Sequence, residues 1–114
     1  MVSNYSSGHY AEKVASEYLV GKGYTVEHLN WSTPICEIDI VASKNKVLYF
    51  IEVKYRSNDS QGEGLDYITP KKLKQMQFSA QIYVSENDYQ GDYELGAIEL
   101  SSDFRVTEFI NQID

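Results

Sequence analysis

Two β-rich runs, Glu37-Ile38-Asp39-Ile40-Val41-Ala42 and Val47-Leu48-Tyr49-Phe50-Ile51-Glu52-Val53-Lys54, lie so close together that they constrain the fold more than any other feature. Only Ser43-Lys44-Asn45-Lys46 separates them. Both are dense in β-branched and aromatic residues, so the pair predicts an antiparallel hairpin. With Asn45 and Lys46 as a two-residue loop, Asp39 falls opposite Glu52 and Glu37 opposite Lys54. Opposed Cβ atoms on neighbouring strands stand about 4.5–5.5 Å apart.

Two carboxylates at that distance repel unless something positive lies between them, and a hard divalent cation with oxygen ligands meets the need. Glu52 and Lys54 are two apart and project from one face of their strand. They interrupt an otherwise apolar run, which is costly unless they are paired or ligated. Asp39 and Glu52 as a metal-bridging pair, with the Lys54 ammonium orienting an attacking water or stabilising a pentacovalent phosphate, would supply the parts that phosphodiester hydrolysis needs. Spacing alone leaves a second reading open, in which these residues form a solvent-facing ladder of cross-strand charges.

Elsewhere the pattern alternates helices and strands. Ala11, Val14 or Ala15, Tyr18 and Leu19 recur at helical spacing and predict a helix over 8–21, with Ser6 or Ser7 as its cap and Gly21 and Gly23 as its stop. Glu12 lies beside that apolar stripe, where it either reaches over the sheet to the carboxylates or remains a solvated helix residue. Tyr24 to Leu29 alternates as a strand, Asn30 to Pro34 reads as a loop, and Ser57 to Gly64 as a polar, mobile loop. Thr69-Pro70 opens a second helix reaching about Val84, with Leu73, Met76, Ala80 and Tyr83 or Val84 as its stripe. Tyr93 to Leu100 reads as a strand, and Thr107 to Ile113 as either a short strand or a helical tail. The expectation is an α/β fold: a mixed β-sheet flanked by helices, within a single domain spanning residues 1–114.

Bulk properties narrow the function classes. Seventeen acidic against ten basic residues give a net charge of −7, which argues against nucleic acid as a partner of the chain as a whole. The distribution is uneven, however: five of the ten cationic side chains fall between Lys54 and Lys74, and none between Glu86 and Glu99. The lysines at 71, 72 and 74 are read equally well as an exposed helix face. One cysteine, Cys36, excludes an internal disulfide and a cysteine zinc cluster, and reads as a small half-buried filler in a cytoplasmic protein. His9 and His28 lack a third partner at ligand spacing and take no role. No apolar stretch approaches the roughly 18 residues of a membrane span.

Asp, a hairpin, then Glu-x-Lys resembles the PD-(D/E)XK nuclease superfamily, and the fuller pattern resembles its YraN branch, also called UPF0102, itself similar to archaeal Holliday junction resolvases. The likeness rests on Gly8, Glu12, Ala15, Tyr18-Leu19, Gly23-Tyr24, Asn30, Glu37-Ile38-Asp39-Ile40-Val41-Ala42, Phe50-Ile51-Glu52-Val53-Lys54-Tyr55-Arg56, Lys72, Ala80 and Tyr83-Val84. Cys36 stands where that pattern has glycine, and the C-terminal Arg-Phe-Asp-Val-Val of the family is here only Tyr93-Glu94-Leu95-Gly96-Ala97-Ile98. The resemblance implies a restriction-endonuclease-like core, an active-site set of Glu12, Asp39, Glu52 and Lys54, magnesium (or manganese) on Asp39 and Glu52, and branched or structured DNA as substrate. Arg56 and Lys72 are then expected to contact phosphate, and a homodimer suits a symmetric junction. The rival expectation is a binding module for nucleic acid or protein that keeps the fold without cutting.

Overall fold

The computed structural model describes residues 4–56 and 68–113. Helix α1 (Asn4–Gly21) is followed by strands β1 (Thr25–Ser32), β2 (Glu37–Lys44) and β3 (Val47–Tyr55), helix α2 (Pro70–Glu86), and strands β4 (Asp92–Leu100) and β5 (Val106–Ile110). The five strands form one sheet in sequence order, antiparallel throughout except where β3 and β4 run parallel. This is the expected α/β arrangement, with the C-terminal ambiguity resolved as a strand.

The hairpin has the register expected of a two-residue loop. Lys44 pairs with Val47 and Ile40 with Ile51. Asn45 and Lys46 both take positive φ, 53° and 66°, the left-handed pair of a type I′ turn whose twist suits a two-residue hairpin. Alternation along β3 then decides which helix each residue meets. Ile51 and Val53 pack with Ala11, Ala15 and Leu19 of α1, while Leu48 and Phe50 pack with Met76, Ala80 and Tyr83 of α2. The sheet is therefore covered on both faces.

Two boundaries differ from the sequence reading. Helix α1 begins at Asn4, so Ser6 and Ser7 fall within its first turn and not ahead of it. Its end is a Schellman motif: Gly23, at φ 96°, donates to the Val20 carbonyl, Tyr24 donates to that of Leu19, and Tyr24 packs in the same core as Leu19. Strand β1 runs on to Ser32, through the stretch expected to be loop, because Asn30 adopts a left-handed φ of 55° within the strand and the pairing resumes beyond it with Trp31 opposite Ile38. Thr69 caps α2 as expected, its Oγ1 accepting from Lys72 N at 3.1 Å with Pro70 in the first turn. The polar loop expected over Ser57 to Gly64 lies outside the described residues.

β5 approaches β4 so closely that a Cβ at Gly96 would sit 2.7 Å from the Ile110 carbonyl oxygen and 3.3 Å from Asn111 Cα. Both neighbours are backbone and cannot rotate away. Gly96→Ala is expected to cost about 1–3 kcal/mol, the range for overpacking, read as a lower urea midpoint at unchanged slope; an unchanged midpoint would show that β5 is not held against β4.

Candidate functional site

At Asp39 the hairpin stops behaving as a regular ladder. The β2–β3 pairs end at Ile40 and Ile51. Continuing that register would send the Val53 N–H to the Ile38 carbonyl, but it donates instead to Asp39 Oδ2 at 2.7 Å. Strand β2 also turns over there. Strict alternation would put Ile38 and Ile40 on one face, yet Ile38 packs against the α2 side and Ile40 against the α1 side. On the neighbouring strand Asn30 has the positive φ. The two distortions face each other and open a fork between β2 and β3 with Asp39 at its root.

Three elements deliver carboxylates to this fork. Glu12 comes from α1, Glu37 and Asp39 from β2, and an oxygen from each lies within 4.8 Å of the others. Glu52 of β3, on the α2 face, lies near enough to Asp39 for its charge to be the strongest influence after burial in raising the Asp39 carboxyl. It pairs with Lys72 of α2, Nζ to Oε1 at 3.6 Å. The structure thus brings together Glu12, Asp39 and Glu52, and adds Glu37, which the pairing argument had set against Lys54. Lys54 occupies the same face of β3 as Glu52 and stands in register with Glu99 of β4. His9, expected to have no role, places Nδ1 at 3.7 Å from Glu12 Oε1.

Burial pushes the Asp39 carboxyl up to about 8, helped by the Glu52, Glu12 and Glu37 charges and opposed by the Val53 N–H. Glu52 is raised by burial, against the pull of Lys72 and its bond to Asp39. Glu12 is raised by burial, with Asn30 pulling it down and Glu37 pushing it up. Buried Glu12 Oε1 has no hydrogen-bond partner. Such an oxygen, among hard carboxylate donors that resist losing their protons to water, is the environment a divalent cation satisfies, so the residues fit magnesium or manganese.

Arg56, expected on phosphate, is engaged within the chain. Its Nε donates to Glu99 Oε2, both side chains are nearly buried, and Thr107 Oγ1 donates to Glu99 Oε1 at 2.6 Å. Glu99 escaped the sequence reading, although the signal was the one used for Glu52: a charge inside the apolar run from Leu95 to Leu100. Cys36, half buried as expected, has Sγ 3.2 Å from Ser79 Oγ, which also meets Thr33 Oγ1 at 2.8 Å and so ties the β1–β2 turn to α2. A hollow of about 460 Å³ lies at the opposite end of β3, lined by Tyr49, Asp92, Tyr93 and Glu94 and by none of the fork carboxylates. Among the described residues no helix is long and apolar enough to cross a membrane.

Fold and site define an α/β protein with a carboxylate cluster at a strand fork. Over residues 11–106 the chain matches UPF0102, described as an uncharacterised protein family, and it belongs to that family. It is 34% identical to a UPF0102 protein of Flavobacterium psychrophilum across 77% of this chain and 74% of the relative. A UPF0102 protein of Sulfurihydrogenibium is 38% identical across 74% and 73% of the two chains, and one of Vibrio campbellii 30% identical across 90% and 87%.

Two outcomes follow from the electrostatics. Asp39 holds its proton to about pH 8 when folded against an ordinary value of 3.8, so between those limits the native state binds the extra proton and this group's contribution to stability falls as pH rises. Asp39→Asn removes that penalty, and without divalent cations its melting temperature should exceed the wild type's by a few degrees at pH 8 and converge with it near pH 4. Parallel pH profiles would contradict the assignment. Arg56→Ala leaves the Glu99 carboxylate buried without its cation and should cost about 3–5 kcal/mol in chemical denaturation; a loss under about 1 kcal/mol, the scale of a surface pair, would show that the pair is solvated.

Proposed function

We propose that this protein is a divalent-metal-dependent endodeoxyribonuclease of the PD-(D/E)XK kind, acting on branched or otherwise structured DNA. The observation that carries the reading is the convergence of Glu12, Glu37, Asp39 and Glu52 on one strand fork, with a buried Glu12 oxygen lacking any partner. A fold tolerates that much confined negative charge where a cation compensates it.

When bound, the cation polarises the scissile phosphate and favours ionisation of water. Asp39 and Glu52, with Glu12, hold it. Lys54, on the Glu52 face of β3, orients the attacking water and offsets charge developing on the phosphate oxygens. Water adds to phosphorus as one P–O ester bond breaks, leaving a phosphate monoester and a hydroxyl. Lys72, already 3.6 Å from Glu52, is close enough to exchange that partner for a DNA phosphate. A junction with two-fold symmetry is served best by a homodimer, and a DNA-processing role fits a cytoplasmic setting.

A second reading has its own support. Arg56 and Lys72, the two cations expected on phosphate, both make ion pairs within the chain, and the net charge is −7. A module that binds DNA junctions or a protein without cutting would show this.

Gel assays on four-way, forked and single-stranded DNA with magnesium or manganese separate the two. The nuclease reading expects cleavage that falls by about 100-fold or more in Asp39→Ala and in Glu52→Ala. Cleavage that survives both substitutions refutes the site; retention of DNA without cleavage under either cation favours the module.

A further inference from the structure

The two sides of the Asp39 carboxylate are not equivalent. On the α2 side Glu52 already has a cation, Lys72 at 3.6 Å. On the α1 side Glu12 Oε1 is buried with no hydrogen-bond partner, and Nδ1 of exposed His9 stands at 3.7 Å. The unmet demand for positive charge is therefore on the α1 side, among Glu12, Glu37 and Asp39.

Glu37 differs from the other two in being exposed, yet its mount is rigid. The preceding turn is closed by Thr33, whose N–H donates to the Cys36 carbonyl at 3.0 Å while its Oγ1 accepts from Ile35 N and Cys36 N, each at 3.1 Å. The same hydroxyl meets Ser79 Oγ, and Glu37 itself pairs with Ser32. An exposed acid on a pinned strand start, with an oxygen within 4.8 Å of two less exposed carboxylates, is placed to close a coordination shell from the solvent side. A hard cation needs such a set: oxygen ligands from several directions, with open positions left for water and substrate.

We propose that Glu37 is a direct ligand of the divalent cation, forming with Glu12 and Asp39 a three-carboxylate seat on the α1 side of the strand fork. The inference rests on the metal-dependent reading of the site and adds a ligand to it.

Mn2+ binding to the full-length protein, followed by calorimetry and by electron paramagnetic resonance, tests this without any cleavage assay. Glu37→Gln removes charge and ligand, Glu37→Asp keeps the charge but withdraws the oxygen by one methylene, and Glu17→Gln is an exposed control on the same helix as Glu12. A direct ligand predicts binding weakened by about tenfold or more in Glu37→Gln, a clear weakening in Glu37→Asp, an altered Mn2+ spectrum in both, and wild-type behaviour in Glu17→Gln. Wild-type affinity in Glu37→Asp would show that Glu37 acts only through its field, and wild-type affinity in Glu37→Gln that it takes no part; either overturns the proposal and leaves the metal reading standing. No Mn2+ binding by the wild type at millimolar concentration removes the metal reading, and the proposal with it.

Discussion

Asp39 accepts the N–H of Val53, a donor that the hairpin register assigns to a backbone carbonyl, and the geometry around it follows from that exchange. A regular ladder would keep β2 and β3 zipped and leave Glu37 and Lys54 as neighbours across the strands. Handing one ladder bond to a side chain ends the pairing early, lets β2 turn over, and puts a carboxylate at the root of the fork. Glu12 then approaches from one helix layer and Glu52 from the other face. The bond also lowers the cost of ionising Asp39, against burial and three neighbouring acids.

Confinement of negative charge has consequences for stability as well as chemistry. Asp39, Glu52 and Glu12 are each raised by burial first, so the cation-free fold is strained most where these three are ionised. Lys72 relieves one side only. Charge of either kind brought to the fork, a cation or protons, stabilises it, which ties ligand binding to fold stability through the same atoms. The acidic total of the chain is thus a poor guide to a nucleic-acid partner: part of it sits in a cluster whose own need is for cations, and magnesium there would present positive charge to a phosphate.

What could be read from the sequence, and what could not, divides along sequence separation. The hairpin was legible because a two-residue turn at Asn45-Lys46 determines every pair up to Ile40 and Ile51. Thr69-Pro70 was legible because capping is local. The turnover at Asp39 was not, since the side chain that captures Val53 N–H acts across 14 positions and Asn30 distorts a strand next door. The pairing of Arg56 was not legible, because Glu99, its partner, lies 43 positions away on β4. Glu12 needed the family resemblance, since its helical periodicity allowed solvent and sheet equally. Glu37 was read correctly as a hairpin charge and wrongly as part of an intact ladder.

Glu99 shows why buried charge alone does not mark a reactive centre. Like Glu52 it interrupts an apolar strand on the α2 face, and like Glu52 it meets a cation. Its two oxygens are nevertheless both engaged, one by Arg56 and one by Thr107, so it can fasten β3, β4 and β5 together at the C-terminal end of β3 without needing anything from outside. The fork lacks that closure. An orphaned oxygen on Glu12, with Lys72 at one side and a solvent-facing acid at the other, leaves an incomplete set of interactions, and it is the incompleteness, more than the acidity, that distinguishes a site for a ligand from a structural ion pair.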